Sequence, residues 1–264
     1  RYQSPVQVVS IEQTTNRPGG RIWPLEQMKS VCAKVREHDA YCHMDGARLL
    51  NATVATGISA AEYAGPFDSA WIDWARELQT KQDEIFWDAQ LGAYYYSRAD
   101  DPNLIQRSVD LIDRTLPNSN AVSALNLLKL HDLTFKPGYQ EKAKTLLAAD
   151  SGRLARYPSA YAQTLIALDY HLDHAKEIAV IGPAHNDLTQ RILSWLRRSF
   201  IPNKTLGFEL PDRNSTLTLV AEKPMIAGQT TVYVCEDNVC KLPTSDPTQV
   251  KQLVSEIKTY RLAP

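Results

Sequence analysis

The hydrophobic pattern of this chain changes at Gly65-Pro66, so the fold has to combine two kinds of architecture. Before this point the sequence predicts an apolar strand over residues 6–12, an amphipathic helix that begins near Pro24 and a second strand over residues 41–44. A strand, a helix and a strand in this order predict a parallel crossover unit, which is right-handed by default. After this point the periodicity is helical for a long stretch, and a small α/β lobe is predicted to close the chain.

The middle of the chain is predicted to consist of paired helices. A very apolar helix lies around Leu125 and Leu128, and a second helix is predicted over residues 154–172, where large apolar residues recur at helical spacing. Helices that are joined by short loops bury their apolar faces in pairs, as α-hairpins. Strands are predicted again over residues 177–182 and 230–236, and a hairpin turn follows the second of these.

The charge and hydropathy of the sequence argue against two classes of partner. The chain has 264 residues, enough to bury a substantial core in one or two domains, and its formal net charge is -1. A charge this close to neutral gives no electrostatic reason to bind nucleic acid or an acidic membrane. The sequence has no apolar run of about eighteen residues, and its first residues lack the apolar region of a signal peptide, so we expect a cytoplasmic protein.

The four cysteines lie in two separate segments of the chain. Cys235 and Cys240 flank the predicted hairpin turn, a position that allows a metal site or a disulfide, whereas Cys32 and Cys42 lie near the N-terminus. No second Cys or His pair lies nearby at the spacing of zinc ligands, so the sequence supports no metal site. A chain of this size does not depend on disulfides, and we therefore predict free thiols.

The segment from His43 to Arg48 (HMDGAR) places an acid and a base three residues apart at the end of the second predicted strand. Ligands of open α/β sheets collect at the carboxyl ends of strands, so Asp45 and Arg48 are predicted to face a ligand. His43 precedes Asp45 by two residues and points to the same side of the strand, while Met44 points away. The alternative is a surface ion pair between Asp45 and Arg48, which has little energetic value.

Together with the strand before it and the loop over residues 13–20, this motif makes residues 8–74 resemble the threonine aldolase and aromatic amino acid β-eliminating lyase family. Members of that family bind pyridoxal phosphate (PLP). The resemblance implies that Asp45 and His43 bind this cofactor, and that the Asp45 carboxylate keeps its pyridine nitrogen protonated. It also implies that Arg48 binds the α-carboxylate of a small amino acid substrate, which its planar guanidinium suits.

The same resemblance implies that the catalytic set is incomplete. In the family, the strand that resembles residues 67–74 leads into a Ser-Lys pair, and this lysine forms the Schiff base with PLP. In this chain Ala75 and Arg76 follow Trp74, so the lysine is absent, and the phosphate-binding part of the family is expected to be missing as well. The resemblance therefore implies a carbon–carbon lyase of the aldolase type, but we predict that this chain is inactive because its lyase segment is incomplete and has no catalytic residue.

Three later segments carry a second pattern: residues 117–128 (PNSNAVSALNLL), residues 200–204 (FIPNK) and residues 233–247, which contain both cysteines of the hairpin. In this order they make residues 75–254 resemble the C-terminal part of the YyaL-like, spermatogenesis-associated thioredoxin-domain proteins. This resemblance implies the helices of a six-hairpin α/α toroid, of which only a part is expected in this chain. The chain is thus interpreted as a fusion of two incomplete proteins that meet near Trp74.

We predict a mixed fold of α/β and α architecture in three parts. Residues 1–74 are expected to form a partial α/β fragment of a PLP enzyme, residues 75–175 the helical hairpins of a partial α/α toroid, and residues 176–264 a small α/β lobe. Truncated parts leave apolar faces that each parent protein would have covered. We therefore also expect self-association.

A non-catalytic or carbohydrate-related module of the second family is the alternative function. Six-hairpin glycosidase-like proteins bind sugars between paired carboxylates in an aromatic groove. The aromatic and acidic residues that could form such a groove here are Trp87, Tyr94, Tyr95, Tyr96, Asp83, Glu84 and Asp88. Aromatic residues at the end of a helix more often belong to the core, and charged residues to a solvated face.

Overall fold

The computed structural model describes most of the chain, namely residues 8–13, 20–38, 40–45, 49–58, 63, 68–211, 215, 217–256 and 258–260. The chain divides into two compact units, residues 1–79 and residues 80–264. Both units contain helices and strands, which confirms the predicted mixed fold class. The finer prediction, a PLP-enzyme fragment joined to part of an α/α toroid with a further boundary at residue 175, remains a prediction.

The first unit contains a strand, a helix, a second strand and a second helix in chain order: β1 (Val8–Glu12), α1 (Leu25–Arg36), β2 (Tyr41–Asp45) and α2 (Leu49–Thr56). Strands β1 and β2 pair in parallel, so α1 is the helix of the predicted crossover unit. Helix α1 buries Met28, Cys32 and Val35, whose spacing of four and three residues gives a helix one apolar face. These three side chains pack against Ile11 and Met44 of the two strands in one core.

The helices that follow are α3 (Asp68–Phe86), α4 (Ser119–Thr134), α5 (Pro137–Ala148), α6 (Ser151–Arg156) and α7 (Ala162–Leu172). The boundary between the two units falls inside α3. A short antiparallel pair, β3 (Trp87–Asp88) and β4 (Ala93–Tyr94), comes between α3 and α4. Helix α4 packs against both α5 and α7 around Leu127 and Ala167, as the sequence predicts for paired helices. Among the described residues, no helix is long and apolar enough to span a membrane.

The prediction of a single helix over residues 154–172 is wrong. Helix α6 ends at Arg156, a 3₁₀ turn covers Pro158–Ala160, and α7 begins only at Ala162. Pro158 explains the break, because a proline ring disfavours the helical conformation at the residue before it. That residue, Tyr157, has φ -134° and ψ 59°, which lies outside the helical region.

The second unit ends in a sheet with two helices, made of β5 (Lys176–Ile181), α8 (Asp187–Arg198), β6 (Lys204–Glu209), β7 (Thr231–Glu236), β8 (Val239–Cys240) and α9 (Pro247–Ser255). The strand order is β6-β5-β7-β8, with β5 parallel to β6 and antiparallel to β7. All six residues of β5 are buried, because both faces of this central strand are covered. Ile178 and Val180 pack against α8 and α9, and Ala179 and Ile181 pack on the other face.

The prediction that all four cysteines are free thiols is wrong for one pair. Cys235 and Cys240 form a disulfide, whereas Cys32 and Cys42 are free and buried. The two bonded cysteines are opposite each other in the β7–β8 register. The next pair along is hydrogen-bonded, since the N–H of Lys241 donates to the carbonyl of Val234. Cys235 and Cys240 are therefore a non-hydrogen-bonded pair, the kind in which side chains lie closest together.

Candidate functional site

The predicted cofactor site lies at the carboxyl ends of β1 and β2. The parallel register places Ser10 beside His43 and Glu12 beside Asp45. Asp45 is therefore the last residue of its strand, at the edge where α/β sheets bind ligands. The side chains of His43 and Asp45, and the whole of Arg48, lie outside the described residues, so their roles in binding remain predictions.

The chain that leaves β1 at this edge is tied to the core by Gln13. Its side chain is fully buried, its Nε2 donates to the carbonyl oxygen of Trp23 at 3.1 Å, and its Oε1 accepts from the N–H of Trp23 at 3.0 Å. A buried amide whose donor and acceptor are both satisfied holds its partner in one place. Gln13 therefore fixes the point at which the chain enters α1, a role that the sequence did not reveal because the pattern there indicates only a loop.

Residues 1–79 contain two lysines, Lys29 and Lys34, and both lie on α1. Lys29 pairs with Glu26 at 2.7 Å and Lys34 pairs with Glu37 at 2.5 Å, and all four side chains are more than half exposed. Ion pairs of this kind on the outside of a helix contribute little to stability. Neither lysine follows a strand, which is where the resemblance to PLP lyases requires the residue of the Schiff base.

The segment that resembles the lysine-bearing strand of the lyases folds as part of helix α3. This helix runs without a break through Ala75 and Arg76, the two residues in place of the Ser-Lys pair. Arg76 forms an exposed pair with Asp73 at 3.4 Å, one turn earlier on the same helix. The helical periodicity that the sequence shows after Gly65-Pro66 predicts a helix in this region, and α3 confirms it.

A second candidate site is a cleft of about 450 Å³ in residues 80–264, which we call the polar cleft. Its walls come from α4, the start of α5, α7, β5 and the β7–β8 turn. The polar residues that line it are His131, Asp132, Gln140, Tyr170, His171, Glu177, Asp237 and Asn238. Asp132 and Glu177 are 7% and 4% exposed, so two acidic side chains are almost completely withdrawn from solvent.

Asp132 is held by two hydroxyl groups. The Tyr170 hydroxyl donates to its Oδ2, and the Thr205 hydroxyl donates to the same atom at 3.1 Å. Burial raises the pKa of Tyr170 above its ordinary value, and the negative charge of Asp132 raises it further. Tyr170 therefore stays protonated as a hydrogen-bond donor throughout the physiological pH range.

Glu177 is held by the turn between β7 and β8. Asp237 and Asn238 have φ values of 56° and 62°, as a two-residue hairpin turn of type I′ requires. This turn directs the N–H of Asn238 toward both carboxylate oxygens of Glu177, at 3.2 Å each. It also places the Asp237 carboxylate 3.0 Å from Nδ1 of His174.

The polar cleft thus offers carboxylate oxygens and imidazole rings to a ligand that donates hydrogen bonds. Among the described residues, no group of three or more His, Cys, Asp or Glu side chains has the arrangement of a metal site. Sequence reasoning missed Asp132, Tyr170 and Glu177 because each lies within a mostly apolar helix or strand. The available signal was an acid or a phenol at a core position of an amphipathic pattern.

The aromatic and acidic residues around β3 and β4 are instead occupied with one another. Asp83 pairs with Lys142 at 2.5 Å and accepts a hydrogen bond from the Tyr94 hydroxyl, also at 2.5 Å. Asp88 accepts from the backbone N–H of Leu91 and from the Tyr95 hydroxyl, and these two bonds are the main reasons that its pKa is lowered. The aromatic rings of Trp87 and Tyr94 meet edge to face with centroids 5.0 Å apart. These contacts favour a structural role over a sugar-binding groove.

Comparison with known proteins finds similarity to two differently named groups of proteins. Residues 1–80 match the model of the beta-eliminating lyase family. Low-specificity L-threonine aldolase of Candida albicans is 42% identical over 77 residues, which are 29% of this chain and 20% of that protein. Spermatogenesis-associated protein 20 of Homo sapiens is 34% identical over 197 residues, 73% of this chain, and the protein of that name from Rattus norvegicus is 33% identical over 199 residues.

The chain spans about a quarter of the length of the spermatogenesis-associated relatives and a fifth of the Candida aldolase. The beginning of the chain is therefore similar to beta-eliminating lyases, and 73% of the chain is similar to a protein of a different name. This combination confirms the resemblance to two families that the sequence motifs indicate.

Proposed function

We propose that residues 1–79 are a lyase-type segment that does not form a Schiff base in this chain, and that the function of the chain is carried by ligand binding in residues 80–264. The observation that carries this proposal is helix α3, which occupies the positions where a PLP lyase has a strand followed by its lysine. The match of residues 1–80 to the beta-eliminating lyase model and the similarity to threonine aldolases support the origin of the segment.

The residues of this segment do not fit covalent attachment of PLP. The two lysines available, Lys29 and Lys34, pair with glutamates on the outside of α1. By resemblance, Asp45 and His43 would still lie toward the pyridine ring and Arg48 toward a substrate carboxylate. We derive no catalytic step from them, because a carbanion on the α-carbon needs the covalent link between substrate and cofactor.

The proposal is tested by adding PLP and threonine to the purified chain. We expect no glycine or acetaldehyde. After borohydride reduction we expect the chain to carry no more cofactor than a Lys29→Arg/Lys34→Arg control, which has no lysine in residues 1–79. The Arg76→Lys variant restores a lysine at the position of the Schiff base. It should remain inactive, because residue 76 lies in a helix and not at the end of a strand. PLP-dependent release of glycine by the unmodified chain would overturn the proposal.

A second candidate function is binding of a small hydroxyl-rich molecule, such as a sugar, in the polar cleft. The buried carboxylates of Asp132 and Glu177 favour it, because ionised carboxylates only accept hydrogen bonds and hydroxyl groups donate them. We expect glucose to cause saturable NMR shifts in the unmodified chain. Glu177→Gln should weaken this binding at least tenfold, whereas Phe200→Ala, outside the cleft, should leave it unchanged. Identical weak shifts in all three proteins would exclude a specific sugar site.

A further inference from the structure

A larger cavity of about 860 Å³ lies elsewhere in the second unit, between α7, the segment that leads into β6 and the end of α9. We call it the apolar cavity, since Phe200, Ile201, Pro202 and Val254 provide much of its wall. Its volume lies within the range of small-molecule sites, roughly 300–1,000 Å³. Phe200 is 93% exposed, so a complete aromatic ring is available to a ligand at this site.

One side of the apolar cavity carries two carboxylates that share a single amide. Nδ2 of Asn203 donates to Oδ2 of Asp169 at 2.8 Å and to Oδ2 of Asp173 at 2.9 Å. The Tyr260 hydroxyl donates to Oδ1 of Asp169 at 2.5 Å, and the backbone N–H of His174 donates to Oδ1 of Asp173 at 2.8 Å. All of these donors are neutral. Within the part of the chain that the structure describes, neither carboxylate has an ion-pair partner.

The lysines of the apolar cavity do not neutralise this pair. Lys176 and Lys258 both line the cavity, but both bind the carboxylate of Glu236, which is 5% exposed. Glu256, also in the wall, pairs with Lys241 at 3.6 Å. Two negative charges on one shared donor repel each other, and a cation between them would relieve that repulsion. The charge that the apolar cavity presents without a counterion is therefore negative.

We propose that the apolar cavity binds a small amphipathic cation, with its amine or guanidinium group at Asp169 and Asp173 and its apolar body against Phe200 and Pro202. The charge of the two carboxylates selects a cation, and the apolar wall selects a molecule with a hydrophobic body in place of an inorganic ion. This site shares no lining residue with the polar cleft. The proposal is independent of the lyase-type segment and adds a ligand class to the function proposed above.

The test compares three probes of nearly the same shape, 3-phenylpropylamine, 3-phenylpropan-1-ol and 3-phenylpropionate, by NMR or calorimetric titration of the full chain at neutral pH. We expect the amine to bind at least tenfold more tightly than the alcohol, and the carboxylate to bind most weakly. This order requires no variant, so it tests the proposal even if a substitution prevents folding. Equal binding of the three probes, or no binding of the amine, would overturn it.

Variants then assign the binding to the two sides of the apolar cavity. Asp169→Asn/Asp173→Asn should weaken the amine at least tenfold and leave the alcohol within twofold, because only the charge is removed. Phe200→Ala should weaken amine and alcohol by the same factor, since it removes contact with the body that they share. Unchanged amine affinity in the double variant would show that the carboxylates are not the site.

Matched controls remove the same groups at other positions. Glu84→Gln/Glu141→Gln removes two exposed negative charges that do not line the apolar cavity, and Ile105→Ala removes an exposed apolar side chain that does not line it. All three probes should bind these controls as they bind the unmodified chain. If the charge control weakens the amine as much as the aspartate variant does, the attraction is a property of the net charge, and the site is not the one proposed.

Discussion

Glu236→Gln is expected to lower the free energy of unfolding by about 3–5 kcal/mol, the cost of leaving a buried charge without its partner. Glu236 and Lys176 have side chains that are 5% and 8% exposed, and their ion pair lies in the interior. Lys258, which is 36% exposed, binds the same carboxylate. The amide of glutamine keeps the shape of the side chain but not its charge, so the ammonium of Lys176 would stay buried and uncompensated.

The exposed pair between Lys241 and Glu256 provides the matched control. Their side chains are 40% and 45% exposed and 3.6 Å apart. Glu256→Gln should therefore cost less than about 1 kcal/mol. Urea titration of both variants and of the unmodified chain at pH 7 measures the two losses. Similar losses for Glu236→Gln and Glu256→Gln would mean that the interior pair contributes no more than a surface pair.

Glu236→Gln should also change how the stability of the chain responds to acid. Burial alone would raise the pKa of Glu236, but its hydrogen bonds and charge interactions with Lys176 and Lys258 lower it below the ordinary value of 4.5. A carboxyl group whose pKa is lowered on folding stabilises the folded state above its unfolded pKa, and this contribution is lost as the pH falls through the lower, folded pKa. The difference between the unmodified chain and Glu236→Gln should therefore shrink as the pH falls below 4.5.

The second large loss of stability is expected for Gly207→Ala, which adds a single methyl group. Gly207 lies on β6 opposite Ala179 of β5, and a Cβ atom there would come within 2.6 Å of Cγ1 of Val220 and 3.3 Å of Cδ2 of Leu219. Val220 and Leu219 are 2% and 0% exposed, so neither side chain has space into which to move. Overpacking of this kind costs about 1–3 kcal/mol, and we expect a value near the upper end.

Gly152→Ala, in helix α6, should raise the free energy of unfolding, whereas Gly207→Ala should lower it. A Cβ atom on Gly152 meets no atom within 4 Å, and alanine stabilises a helix relative to glycine by roughly 0.5–1 kcal/mol. Thermal unfolding of both variants, followed by circular dichroism, compares the two effects directly. Stabilisation by Gly207→Ala would show that β6 and the segment around Val220 are packed less tightly than the distances indicate.

Periodicity predicted the elements that have a strong local signal. The strands β1, β5 and β7 and the amphipathic helix α1 all lie where the apolar pattern placed them, to within two residues at each described end. Strand β6 escaped prediction because Lys204–Glu209 contains a glycine and two charged ends, and its strand conformation depends on pairing with β5. A pattern along the sequence contains no information about such a partner.

The functional residues were predictable to a smaller extent. Asp45 was placed at a strand end by the local motif, and its backbone lies there. The Tyr170–Asp132–Thr205 network and the hydrogen bonds of Asn203 to Asp169 and Asp173 join residues that are at least thirty positions apart in the sequence. The disulfide required the β7–β8 register, which depends on the positive φ values of Asp237 and Asn238. These arrangements arise from tertiary packing and turn geometry.

The hairpin that carries the disulfide also protects the outer edge of the sheet. An exposed edge strand presents unpaired backbone groups that another chain can extend. Here β8 is only two residues long, and the chain that continues along β7 to the bridge at Thr244 contains Lys241 and Pro243. A lysine and a proline both oppose the addition of a further strand, the lysine by its charge and the proline because it has no N–H to donate. The disulfide between Cys235 and Cys240 links β8 covalently to β7. It thereby keeps β8 on this edge of the sheet, where it hinders the edge-to-edge pairing that leads to aggregation.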